Sequence, residues 1–343
     1  MDFSKPDNAR KINKLRILNI LRKGKLSRAE LSRELLLSKV SISGIVDALL
    51  KDGLIVEAEK DTTTSGRPST KLEINKNIGR VFAVEIKRNS ISVSISDMIG
   101  RPLRYERFPR TDNVWNDICA MIDKLKQDKK IFGVCFVLSD EIRFPEKLPF
   151  RYITTTAAEA QAKAEINLAS ADMSGFYFVS WSDEIQAVFY DKELISIPSF
   201  AHIRVTRNAP CKCGGNGCLT AVASGDVLRA RTGLKNLRDI TDTLEIRESA
   251  KSIVFALSEA VQATNAKAVM LTGELSQLPD EVYATMQTRL SLSLPPDRND
   301  VFIYRSQCGE GGNREGAGIL ALEHFFYHTS LIEAIKEMES SKV

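Results

Sequence analysis

Apolar residues recur every three or four positions from Ile12 to Leu21, through Leu15, Ile17, Leu18 and Ile20, and the run stops at Gly24. That period buries one stripe of a helix. Ser27 follows as the cap of a short helix, Arg28 to Leu35, with Glu30 in the third position of a capping box. Leu37-Ser38 predicts a turn. A second periodic run, Lys39 to Lys51, puts Val40, Ile42, Ile45, Val46, Leu49 and Leu50 on its buried face, and Gly53 ends it. Leu54-Ile55-Val56 and Leu72-Glu73-Ile74 then alternate like paired strands, and the polar stretch between them lacks apolar anchors. Helix, helix, turn, helix and two-stranded wing make a winged helix-turn-helix.

From Val81 the pattern turns to strands. Val81–Ile86, Ile91–Ser96 and Arg101–Tyr105 read as three in succession, followed by a helix at about Asn116–Gln127 and a strand at Ile131–Val137. A helix Ala157–Leu168, strands Phe176–Trp181 and Gln186–Tyr190, and late strands at Val269–Gly273 and Val301–Tyr304 complete an α/β body with mixed sheets. The expected division is a head at 1–78 and a body at 79–343.

Charge separates these parts. Residues 1–80 hold 17 basic and 10 acidic side chains, a net of +7, whereas the remainder holds 31 and 34, a net of −3. A basic head on a mildly acidic body calls for an anionic polymer as the head's partner. In a winged helix the third helix enters the major groove by its N-terminal part. Ser38, Lys39, Ser41 and Ser43 stand there, and Arg67 sits at the tip of the wing as a group for a phosphate or a minor groove. The N-terminus lacks the apolar core of a secretory signal, and no run approaches the roughly 18 apolar residues that span a bilayer. With six cysteines, three of them clustered, a cytoplasmic location is expected.

The cluster is Cys211-Lys212-Cys213-Gly214-Gly215-Asn216-Gly217-Cys218, with His202 upstream. Three thiols and one imidazole complete a tetrahedral zinc and leave no position for water, so the metal is expected to be structural. Cys119, Cys135 and Cys308 read as plain thiols. His324 and His328 lack a third ligand at recognisable spacing. Gly309-Glu310-Gly311-Gly312-Asn313 reads as a loop before a helix, and Trp115 and Trp181 read as packing residues.

His202, the cysteine run, Leu219 and Ser224-Gly225 resemble the zinc signature of the ROK family of repressors and sugar kinases. Asn8, Asn13, Ser38, Ser41, Ser43 and Ser65-Gly66-Arg67-Pro68 resemble that family's DNA-binding repressors. The resemblance implies a two-lobed, actin-like body of the sugar-kinase type, but the catalytic pattern is broken. The phosphate loop is replaced by Glu85-Ile86-Lys87-Arg88-Asn89, where Lys87 and Arg88 fill the space of glycine. The catalytic base falls within Thr156-Ala157-Ala158-Glu159, where Ala157 cannot take a proton. The sugar motif falls on Pro198–His202, the acid after the zinc run is Thr220, the adenosine turn shrinks to Thr272-Gly273-Glu274, and the stretch from Val137 to Thr154 is short.

The expected function is a DNA-binding transcriptional regulator, a repressor of carbohydrate-related genes. Its expected partner is a palindromic double-stranded DNA operator, bound by a homodimer or dimer of dimers. A sugar or other small effector, zinc as cofactor, and no kinase turnover complete the reading. The rival readings are a ligand-free scaffold governed by a protein partner, and a residual sugar kinase.

Overall fold

The computed structural model describes residues 6–58, 70–138, 142–298 and 300–328. In the head, α1 (Pro6–Leu21), β1 (Leu26–Ser27), α2 (Arg28–Leu35) and α3 (Lys39–Lys51) precede β2 (Ile55–Glu57) and β3 (Lys71–Ile74). Ser27 caps α2, and the Glu30 side chain returns to the Ser27 backbone, so the capping box is complete. The strands pair in the order β1-β3-β2, all antiparallel. Ile42, Ile45, Val46 and Leu49 of α3 are buried with Ile17, Leu18 and Leu21 of α1. Val40 breaks the expectation: it is 83% exposed. It lies two positions before Ile42, off the three-and-four spacing of the buried stripe.

The body contains two five-stranded sheets. The first holds β4 (Gly79–Ile86), β5 (Ser90–Ser96), β6 (Pro102–Pro109), β7 (Lys130–Leu138) and β8 (Tyr152–Thr156), with α4 (Val114–Lys126) packed on one face. After α5 (Ala157–Leu168), the second holds β9 (Phe176–Trp181), β10 (Ile185–Asp191), β11 (Glu193–Ser196), β12 (Ala268–Thr272) and β13 (Phe302–Arg305). The strand orders are β6-β5-β4-β7-β8 and β11-β10-β9-β12-β13. Each is an antiparallel three-strand meander extended by two parallel strands, so one topology occurs twice. Between β11 and β12 run α6 (Thr220–Ala223), α7 (Gly225–Thr232), α8 (Leu237–Ile240) and the long α9 (Leu244–Thr264); α10 (Asp280–Ser293) precedes β13.

The last helix, α11 (Gly312–Leu322), packs on α5 between the sheets. Contact there is too close for a side chain, since a Cβ on Gly316 would lie 1.6 Å from the Ala160 carbonyl oxygen. One π-helical turn (Glu323–Tyr327) continues α11 toward the head. A single apolar cluster joins Ile17, Leu18 and Leu21 of the head to Val81, Met98, Leu322 and Phe325 of the body. Trp181 is fully buried and donates to Ala223 O at 2.7 Å, while Trp115 packs edge-on against Phe136.

Candidate functional site

The surface that the sequence assigns to DNA contact is built around the start of α3. Ser38 caps this helix, accepting from Ser41 N at 3.2 Å, and its hydroxyl also meets Ser41 Oγ at 2.9 Å. Ser38 therefore shapes the helix end. Lys39, Val40 and Ser41 stand exposed beside it, and Ser43 is half-buried. Leu36, in the turn before α3, is 91% exposed in a left-handed conformation with φ 54°. Arg28 braces the rear of α3 through Asp47 at 2.7 Å and the Ser43 carbonyl at 3.3 Å. Arg67 lies outside the described residues.

The head is tied to the body by charges as well as by the shared core. Glu323 receives Arg22 Nη1 from α1 at 2.8 Å and Lys163 Nζ from α5 at 2.7 Å. The Arg22 guanidinium lies 5.2 Å from the centroid of the Tyr327 ring, and Asn19 donates to Tyr327 O at 2.8 Å.

The four proposed metal ligands come together. One donor atom each from His202, Cys211, Cys213 and Cys218 lies within 4.8 Å of every other. His202 Nδ1 is 3.7 Å from Cys211 Sγ, and Cys213 Sγ is 3.7 Å from Cys218 Sγ. Tetrahedral zinc bonds set these edges at about 3.6 Å for sulfur–nitrogen and about 3.8 Å for sulfur–sulfur. The loop closes by Cys211 N to Gly215 O and Gly217 N to Ala209 O. Gly217 adopts φ +81°, and a Cβ there would sit 1.7 Å from the Thr206 carbonyl oxygen. The Gly215 N–H holds the Cys213 thiol below its ordinary pKa. Burial, with the neighbouring Cys213 and Cys211, pushes Cys218 up to about 11.

Between the sheets lies a cleft of about 730 Å³. At its inner end Lys87 forms ion pairs with Glu274 and, at 3.7 Å, with Glu85. Burial pulls Lys87 down, but the charges of Glu85 and Glu274 outweigh it and hold the ammonium above its usual pKa. Arg88 reaches Asp226 at 3.0 Å, and Arg229 binds Asp183 at 2.6 Å and Asp226 at 2.7 Å. The Lys87–Glu274 and Arg88–Asp226 pairs link the β4–β5 turn of the first lobe to the turn after β12 and to α7 in the second. A paired lysine ammonium thus stands at the end of β4, where the resemblance leads one to expect a phosphate loop. Ala157 lines the inner end of the same cleft, at the first position of α5. The nearby Glu159 carboxylate accepts from Thr156 N at 3.0 Å and Thr155 Oγ1 at 2.8 Å, so it caps α5.

Sequence reasoning missed Glu274, Asp226 and Asp183, because Lys87, Arg88 and Arg229, which pair with them respectively, lie far away along the chain; Asp226 has the neighbouring Arg229 besides. It also missed Glu165. This buried carboxylate accepts from Ser306 Oγ at 2.5 Å and from the backbone N–H groups of Gln307 and Cys308 at 2.9 Å each. The glycine-rich loop before α11 is therefore anchored at its start by an anion of the chain's own.

Two family patterns match separate parts of the chain. The MarR family pattern matches residues 11–62, and the ROK family pattern matches residues 197–324. The xylose repressor of Caldicellulosiruptor bescii is 29% identical over 92 residues, which cover 26% of this chain and 23% of that protein. The xylose repressor of Bacillus subtilis (strain 168) is 22% identical over 381 residues, covering 95% of this chain and 98% of the relative. A solved ROK family transcriptional regulator, a homologue of the E. coli MLC protein, superposes with a TM-score of 0.75 at 17% identity, covering 95% of this chain and 99% of its own. That last likeness is one of fold.

Proposed function

We propose that this chain, which belongs to the ROK family and carries a MarR-type head, is a sequence-specific DNA-binding repressor of carbohydrate-related genes. The observation that carries this reading is the exposed start of α3, set on a basic head that shares its core with the body. In this reading residues 1–78 bind the operator and residues 79–343 set its geometry. Lys39 and Ser41 meet the duplex, Ser38 and Ser43 shape and support the helix that carries them, and Arg67 adds a contact from the wing. Each head spans one half-site, so a homodimer or dimer of dimers fits a palindromic operator. His202, Cys211, Cys213 and Cys218 hold a zinc that stiffens a loop of the body. The protein works in the cytoplasm, where those thiols stay reduced.

The body acts as a sensor by a short mechanical route. Asn313 and Arg314 of α11 line the cleft, and the far end of the same helix runs into the turn that grips Arg22 and Asn19. A ligand that shifts the two lobes moves α11 and α5 together, and with them the head. Phosphoryl transfer has no place in this scheme, because Lys87 fills the phosphate position and Ala157 offers no base.

The test is selection of binding sites from a random duplex library with the full chain. We expect a palindrome to be enriched, with affinity that falls steeply as salt rises. Lys39→Ala and Arg67→Ala should each weaken binding across all sequences. Failure to enrich any sequence would refute the regulator reading.

A further inference from the structure

One end of the first sheet is fringed by cations, although the body as a whole has a net charge of −3. β4, β7 and β8 run parallel and all begin at this end, and the β5–β6 turn lies beside them. Lys76 and Arg80 stand at the approach to β4, Arg101 in the turn, Lys129 and Lys130 at the start of β7, and Arg151 just before β8. All are exposed or half-buried, and none forms an ion pair among the described residues. Arg80 Nη1 donates to the carbonyls of Gly79 at 2.7 Å and Lys76 at 3.4 Å, and Arg151 Nη2 to that of Phe132 at 3.2 Å. Lys130 Nζ and Arg151 Cζ lie 5.0 Å and 5.1 Å from the centroids of the Phe132 and Phe325 rings. These groups are positioned without being neutralised. The acids nearby are mostly spent. Asp97 is buried on the backbone N–H groups of Ile99 and Arg101, and Glu323 is taken by Arg22 and Lys163. Asp128, beside Lys129, is exposed.

This fringe begins where α3 ends. Asn75 Nδ2 donates to Gly53 O at 2.8 Å, and a Cβ on Gly53 would lie 3.8 Å from Ile78 Cδ1, so Lys76 stands beside the far end of α3. Met98 N donates to Lys76 O at 3.4 Å and brings the β5–β6 turn alongside. Gly79 pairs with Lys130, and Tyr152 with Val134. In the strand order β5-β4-β7-β8, Arg101, Arg80, Lys130 and Arg151 therefore step across the sheet end at about 4.8 Å per strand. A row of unpaired cations suits a linear polyanion. The helix supplies the reach. α3 has 13 residues and is about 20 Å long, whereas the major groove is about 12 Å wide. Laid across that groove, the helix carries its far end, and the body attached there, past the groove wall and over the phosphate backbone.

We propose that this end of the body is a second DNA-binding surface, which grips the sugar-phosphate backbone of the duplex just outside the half-site met by α3. Its contacts are to phosphates, so they add affinity and register without regard to sequence. The inference rests on the regulator reading and gives the body a direct part in holding the operator. The turn that grips Arg22 and Asn19 of the head also carries Phe325, beneath Arg151, so head and fringe present one continuous surface.

The experiment compares the full chain on two duplexes, the selected palindrome alone and the same palindrome with about ten base pairs of arbitrary sequence, one helical turn, added at each end. Wild type should bind the longer duplex more tightly and with a steeper dependence on salt. The side chains of Lys76, Arg101 and Lys129 form no hydrogen bond or ion pair. A triple variant, Lys76→Gln with Arg101→Gln and Lys129→Gln, should therefore keep its Tm. On the longer duplex it should bind about tenfold more weakly at about 50 mM salt, with a slope of log Kd against log salt shallower by about 2.7 for three phosphate contacts. On the bare palindrome the two proteins should agree, and they should select the same sequence. Should the triple variant melt lower, Arg101→Glu alone reads the same difference at smaller amplitude. Wild type indifferent to the flanks, an unchanged slope in the variant, or an equal loss on both duplexes would each overturn the proposal. Retention on phosphatidylserine vesicles without any flank effect would assign the cations to a membrane surface instead. A chain that selects a palindrome but ignores its flanks refutes this inference alone, and a chain that selects no sequence refutes the regulator.

Discussion

A valine held 83% exposed at the second position of the helix proposed to meet DNA invites an apolar partner, and the major groove offers one in the thymine methyl group. Leu36, 91% exposed in the preceding turn, is a second exposed apolar side chain near the start of this helix in sequence. Val40 should therefore read a thymine directly. Replacing that dT by dU in the selected operator removes only a methyl, worth about 0.8 kcal/mol or roughly a fourfold loss of affinity. The wild-type chain should show that loss at one position of each half-site, and Val40→Ala should be blind to the change. If every dT-to-dU exchange affects the two proteins alike, Val40 does not read thymine. The residue was misread as core because it is apolar and adjoins a periodic run. Strict spacing from Ile42, Ile45, Val46 and Leu49 already excludes it. Ser38 shows the converse: a residue chosen for base contact turns out to cap the helix that presents those contacts. Both roles use the same hydroxyl, and sequence alone does not divide them.

Short elements rely on their end groups, and α2 shows how. Glu30 accepts from Lys71 Nζ at 2.6 Å and from Ser27 N at 2.7 Å, and these bonds, Lys71 first, lower its pKa to about 2. A carboxylate with a folded pKa below its unfolded value of about 4.3 stabilises fully above that pH. The contribution is lost as pH falls toward 2. Glu30→Gln should thus destabilise the chain by about 1 kcal/mol at pH 7, and urea melts at pH 3 should show that difference shrinking. A difference unchanged by pH would refute the assigned ionisation. The zinc loop makes a parallel case: purified chain should carry about one zinc by elemental analysis, and Cys213→Ser should lose it together with several degrees of Tm. Metal-free protein prepared without chelator would rule the site out. The capping box, α5 and the clustering of His202 with Cys211, Cys213 and Cys218 were legible because each is a local pattern of a few residues. The strands β8 and β11 were not, since Tyr152–Thr156 and Glu193–Ser196 are short and polar and owe their form to β7 and β10 beside them. The helix α9 was passed over although Ile246, Ala250, Ile253, Val254 and Leu257 are spaced as a buried stripe.

At the scale of the molecule, the doubled sheet topology and the joint between head and body come from contacts that no local pattern announces. Asn19 and Tyr327 meet across 308 positions of sequence. The alternation of strands did indicate a mixed α/β body, but not which helix would run from the cleft to the head. The joint has two physical parts. Glu323 is shared between Arg22 of the head and Lys163 of α5, a half-buried arrangement whose removal leaves two cations side by side. Beneath it, Phe325 is 7% exposed and belongs to the cluster that also holds Ile17, Leu18 and Leu21. A head that shares its core with the body cannot unfold without exposing part of the latter, so the whole chain should melt in one cooperative transition. Phe325→Ala removes the ring that lies on Gly133 of β7 and leaves a cavity under the turn that carries Glu323 and Tyr327 to the head, at a cost of about 3 kcal/mol. Calorimetry should then resolve two transitions, the lower belonging to the head. Operator affinity below that lower transition should be near that of the wild type, because α3 is untouched. The response of DNA binding to a cleft ligand should be lost, because α11 no longer grips α1. A single transition in the variant, or a ligand response that survives the split, would show that the signal leaves the cleft by another path than the last helix.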